Sequence, residues 1–107
     1  MAVIDVRNDS KGWLTMWLEP LGEDRWLGPD EVFRVRSDYN GDEPAFSINY
    51  WTEEDDPSVR NVSVRVENGD CYAEVTDRSG AVLECGHQRP EEVNRRWQQI
   101  MEQYRTL

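Results

Sequence analysis

From Ala2 to Cys85 the apolar residues of this 107-residue chain recur mainly at every second position. After Gly86 the interval lengthens to three or four. A two-residue period alternates side chains across an extended strand, and a three-to-four-residue period aligns them on one stripe of a helix. The change of rhythm points to a mainly β chain, an antiparallel sandwich-like or partly open barrel of about seven or eight short strands. One amphipathic helix closes it at the C-terminus. A chain this long builds one hydrophobic core and not two, so 1–107 reads as a single domain. Residues 1–86 form its β-rich body and 87–107 its C-terminal helix.

The strands follow from local pattern. Ala2 to Arg7 is the first, followed by a polar turn from Asn8 to Gly12. Trp13 to Glu19 is apolar on both faces, with Leu14, Met16 and Leu18 against Trp13, Thr15 and Trp17. That is the signature of a central strand covered on two sides. Arg25 to Leu27 and Glu31 to Arg36 come next. Ala45 to Thr52 sets Phe46, Ile48 and Tyr50 against Ser47 and Asn49. Asn61 to Glu67 puts Val62, Val64 and Val66 on one side. Asn68-Gly69 then predicts a tight hairpin into Asp70 to Thr76, which offers Cys71, Ala73 and Val75 to the same core. A further turn at Asp77 to Gly80 leads into Ala81 to Cys85.

Pro90-Glu91-Glu92 begins the helix, with proline in the first turn and acids at the positive end of the dipole. Val93, Trp97, Ile100 or Met101, and Tyr104 form its stripe. The face carrying Trp13 and Trp17 is a natural place for that stripe to dock.

The formal net charge of −10 is unevenly spread. Between Glu19 and Asp56 twelve acidic residues face only Arg25, Arg34 and Arg36, while Gln88 to Leu107 carries four arginines against three glutamates. An acidic surface repels phosphate, so neither nucleic acid nor an anionic membrane is expected as a partner. A basic protein is compatible with it. The first residues hold Asp5 and Arg7 where a secretion signal needs an apolar stretch, and no apolar run approaches the ~20 residues of a membrane span. A cytoplasmic protein is therefore expected. Two cysteines make no disulfide framework.

Motifs for chemistry are sparse. The chain has one histidine, His87, and no nucleophile with a partner at recognisable spacing. Cys85-Gly86-His87 and Cys71 are potential soft-metal ligands. Cys71, however, shares its strand face with Ala73 and Val75, the pattern of a small core residue. Asp38 to Glu43 opens like a calcium loop, but glycine falls at the fourth position and Asn49 stands at the twelfth where a bidentate glutamate belongs. The expectation is no catalytic residues, no metal and no cofactor.

Trp17-Leu18-Glu19-Pro20-Leu21-Gly22 followed by Trp26-Leu27-Gly28-Pro29-Asp30-Glu31 resembles a segment of small uncharacterised bacterial β-domain proteins. It covers fifteen residues, and the resemblance implies no activity.

What remains is aromatic residues beside acidic loops, an arrangement suited to a cation or an arginine-bearing surface. The expected function is a non-enzymatic binding or regulatory protein that contacts a basic protein surface. Its candidate residues are Trp26, Asp38, Asp42, Glu43, Trp51, Glu53, Glu54, Asp55 and Asp56. The alternative is a small-ligand or carbohydrate binder using the Trp13 and Trp17 surface, with a hydrolase third.

Overall fold

The structure is a computed structural model that describes residues 1–70 and 72–105. It is mainly β, with seven strands in two sheets and one C-terminal helix. The strands are β1 (Ala2–Arg7), β2 (Leu14–Glu19), β3 (Glu23–Leu27), β4 (Val32–Ser37), β5 (Phe46–Thr52), β6 (Arg60–Val66) and β7 (Glu74–Thr76). The helix α1 spans Glu91–Arg105. One sheet runs β1-β4-β7 and the other β3-β2-β6-β5, so neither closes into a barrel. No helix among the described residues is long and apolar enough to cross a membrane.

The sheets face each other across a core drawn from alternate positions. β2 supplies Leu14, Met16 and Leu18, β6 supplies Val62, Val64 and Val66, and β4 supplies Phe33 and Val35. Ala73, Val75 and Leu83 complete it from the C-terminal part of the body. Met16, Leu18, Phe33, Val35 and Val64 are wholly excluded from solvent. At about 25 cal/mol per Å² of apolar area removed from water, this layer dominates the stability.

Two sequence expectations are corrected. Asn68-Gly69 does not close a hairpin. β6 pairs with β2 and β5, whereas β7 pairs with β4 in the opposite sheet, so the chain changes sheets at this turn. Gly69 has φ +84°, the left-handed conformation that the turn signal anticipates, but the flanking strands diverge. The partner of β6 on its other side is β2, and that pairing is parallel. The strand expected over Ala81 to Cys85 reduces to a bridge between Thr76 and Val82. Ala73 and Val75 do enter the core as their alternation implies, while Cys71 lies outside the described residues.

The helix starts at Glu91, where Pro90-Glu91-Glu92 places it, and runs to Arg105. Residues 87–90 of the expected 87–107 are not helical, 106 and 107 lie outside the described residues, and the stripe is only partly used. Val93 is buried and Trp97 half-buried, whereas Ile100, Met101 and Tyr104 are 43%, 59% and 69% exposed. Fifteen helical residues extend about 22 Å. The radius of gyration is 15.0 Å, against about 13 Å for a compact chain of this length. The first turns dock and the rest projects.

Candidate functional site

All five tryptophans gather on the outer side of the four-stranded sheet. Strand register puts Trp26, Thr15, Asn61 and Trp51 in one row across β3, β2, β6 and β5. The next row is Asp24, Trp17, Ser63 and Asn49. Trp13 precedes β2 on the same parity and meets Trp26 edge-on, with ring centroids 6.3 Å apart. The helix adds Trp97, which lies 6.1 Å from Trp17 at a tilt of 35°.

Asp24 fixes the helix to this face. Its carboxylate is 2% exposed and accepts from Arg89 Nε at 2.9 Å, Arg89 Nη2 at 2.5 Å and Trp26 Nε1 at 2.7 Å. Burial pushes the Asp24 carboxyl up, but the hydrogen bonds from Arg89 and Trp26 outweigh it and hold the group below its ordinary value. The same pairing raises Arg89, whose guanidinium also lies 4.6 Å from the Trp97 ring centre. Segment 84–88 lies along the outer edge of β3, where Trp26 N donates to His87 O and Gly86 N donates to Asp24 O. His87 stacks its edge against Phe33, and the Cys85 thiol donates to Asp24 at 3.7 Å. Both side chains thus have structural partners.

Trp17 is therefore held between Trp97 and Asn61, whose Oδ1 accepts its indole N–H at 3.1 Å. Trp13 is 42% exposed. One is covered and the other open, so the pair forms no continuous flat platform. Trp26 is likewise occupied by Asp24 and Trp13. Trp51 is half-buried, in the same row as Trp26 but three strands away, roughly 14 Å by the inter-strand spacing. Trp51, not Trp26, is the tryptophan beside an acidic loop.

The expected acidic residues fall into two groups at opposite ends of β5. Asp38, Asp42 and Glu43 lie in the loop before it, and Glu53, Glu54, Asp55 and Asp56 in the loop after it. The strand between them spans about 20 Å. The first loop folds around Tyr39, whose hydroxyl accepts Glu43 N at 3.2 Å, and Asn68 Nδ2 pins Pro44 O at 2.6 Å. Asn49, the last position of the calcium-like pattern, sits in the middle of β5, away from the loop. In the second loop Asp56 caps its own turn by accepting Ser58 N and Oγ, and Glu53 accepts Asn61 Nδ2 at 3.2 Å.

On the three-stranded sheet the acids are neutralised locally. Asp5 pairs with Arg34 and Glu74 with Arg36 on the outer side of the three-stranded sheet. By contrast Asp38, Asp42, Glu43, Glu54 and Asp55 are exposed and form no ion pair among the described residues.

β5 itself is a site feature that residue-type reasoning did not pick out. Pro44 to Thr52 is the longest uncharged run in the chain, though 32% of all residues are charged. β5 forms one edge of its sheet. Flanking bonds set the phase of its ladder. Glu67 N donates to Ala45 O, and Glu53 N donates to Val59 O, both on the register that pairs β5 with β6. Hydrogen-bonded pairs alternate along an antiparallel ladder. Ser47, Asn49 and Trp51 therefore direct their backbone groups to β6. Phe46, Ile48, Tyr50 and Thr52 direct theirs to the open side. Ile48 and Tyr50 are also 48% and 54% exposed, although they share the strand face that packs Phe46 against the core. The other long edge, β1, carries Asp5 and Arg7, and the β3 edge is covered by segment 84–88.

No family model, no curated protein and no solved structure matches this chain.

Proposed function

We propose that this is a non-enzymatic, cytoplasmic binding protein that engages a basic protein surface through its two β5-flanking acidic loops and Trp51. The observation that carries the reading is the contrast in charge pairing. Acids on the three-stranded sheet are matched by arginines, whereas Asp38, Asp42, Glu43, Glu54 and Asp55 are exposed and form no ion pair among the described residues. Unmatched like charge costs self-repulsion within the fold and is relieved by a partner of opposite sign. A half-buried tryptophan at the rim supplies the apolar anchor that charge alone lacks, since tryptophan and arginine dominate the energetics of many interfaces.

The test is selection of random displayed peptides on the immobilised protein. Recovered sequences should be rich in Arg and Lys, and Trp51→Ala together with Glu54→Gln and Asp55→Asn should abolish recovery. Enrichment of acidic or purely apolar peptides, or recovery indifferent to these substitutions, would refute the proposal.

A further inference from the structure

We infer that β5 is a strand-addition site: a partner segment in extended conformation, uncharged through its middle and basic at both ends, pairs along Phe46–Thr52. This rests on the proposed binding of a basic partner and specifies how that partner is held.

Three features of β5 converge. The open side presents the N–H and C=O groups of Phe46, Ile48, Tyr50 and Thr52, and no described segment hydrogen-bonds to them. An unpaired strand edge is a template for another strand, and proteins usually blunt such edges with lysine, proline, bulges or cover. β5 has none of these within its span. Its inner-facing side chains Ile48 and Tyr50 stand half in water. Tyr50 borders a hollow of about 110 Å³ whose lining mixes Val6, Leu14 and Val62 with Arg7 and Arg60. An added strand would cover Ile48 and Tyr50 with its own alternate side chains and extend the sandwich.

Charge selects the occupant. Acidic loops stand at both ends of β5 and no charged residue lies within the strand, although Arg60 of the neighbouring β6 donates to the Tyr50 hydroxyl at 3.3 Å. A second copy paired antiparallel would bring Glu53 and Glu54 of one molecule beside Glu43 of the other, a like-charge clash at each end. A segment with Lys or Arg at its two ends meets attraction at both. Backbone bonding would supply affinity, and the terminal charges would fix register, the usual division of labour in strand addition.

The experiment uses the intact protein and a synthetic peptide. The peptide has an alternating Val/Thr core matching β5 in length and a pair of lysines at each end. Amide hydrogen exchange is followed by NMR. Binding should slow exchange at Phe46, Ile48, Tyr50 and Thr52 while adding nothing at Ser47, Asn49 and Trp51, whose amides already bond to β6. N-methylating alternate core amides of the peptide on its pairing edge should weaken binding by about fivefold per blocked group. Ile48→Pro removes one outward N–H without breaking a ladder bond, and should do the same. If that variant does not fold, the N-methyl series asks the same question of the native chain. Shifts confined to the two loops, with no new protection on β5, would overturn strand addition and leave the basic-partner reading standing. No binding to the peptide at all would overturn both. Outward amides already protected without peptide, in a protein that sediments as a dimer, would give the edge to a second copy and overturn the assignment.

Discussion

Arg89 grips Asp24 across 65 positions of sequence, joining the start of the helix to β3 through two hydrogen bonds on one buried carboxylate. The pair explains why the helix docks where it does. Trp97 follows Arg89 by two turns and comes down on Trp17, with the Arg89 guanidinium over its ring.

Removing Arg89 leaves Asp24 buried beside only the Trp26 indole and the Cys85 thiol. Arg89→Ala should therefore cost about 3 kcal/mol in urea denaturation. Replacing both members, with Asp24→Leu and Arg89→Leu, should cost less than Arg89→Ala alone, because no uncompensated charge remains. Equal or greater loss in the double variant would show that the pair is not the anchor.

The pH dependence has a defined sign. Asp24 is held below its ordinary 3.8 in the folded protein and returns to about that value when unfolded. Its contribution is complete above 3.8 and is lost as pH falls through the lower folded value, since the unfolded chain takes up the proton first. Wild-type stability should thus drop more steeply below pH ~4 than that of Asp24→Asn. Asp5, held down by its hydrogen bond from Arg34, shifts the same way but is exposed and adds little. Parallel wild-type and Asp24→Asn curves from acid-titrated thermal melts would contradict the assignment.

The projecting half of the helix is outside the cooperative core. Ile100→Lys and Met101→Lys should each change stability by less than about 0.5 kcal/mol, as exposed positions do. Val93→Ala, in the docked turn, should cost about 2 kcal/mol. A large loss at Ile100 would mean that the helix packs along its full length.

Glu54→Gln and Asp55→Asn should leave stability unchanged or raise it by a few tenths of a kcal/mol, since neither carboxylate has a cationic partner among the described residues. The same substitutions should weaken capture of lysine-ended peptides. Denaturation midpoints beside peptide titrations separate the two effects.

Much of the architecture was legible in the sequence because burial imposes period. The alternation of Leu14, Met16 and Leu18, of Phe33 and Val35, and of Val62, Val64 and Val66 places all of them inward, and the strands follow. The helix start at Pro90-Glu91-Glu92 was equally plain. Strand partnership was not, because alternation says which way a side chain points and nothing about which strand lies alongside. A turn-forming Asn68-Gly69 serves a change of sheet as well as a hairpin, and the parallel β2–β6 pairing joins segments more than forty residues apart. The stripe Trp97, Ile100, Tyr104 predicts an apolar helix face but not how far along it the body reaches.

The candidate site was half visible. Acid clusters can be counted in the sequence, and both loops were identified. That they bracket one open strand depends on β5 being an edge, which only the sheet order supplies. Trp26 and Trp51 look alike as tryptophans near acids, but one is committed to Asp24 inside the fold and the other stands at the rim. The uncharged run Pro44 to Thr52 was the available signal for β5.

In the proposed complex the carboxylates at the ends of β5 choose the partner. Calorimetric titration of the lysine-ended peptide into the protein at low and then at moderate salt tests that choice directly. Affinity should fall by about tenfold or more as the screening length shrinks. An affinity that is the same at both ionic strengths would contradict it.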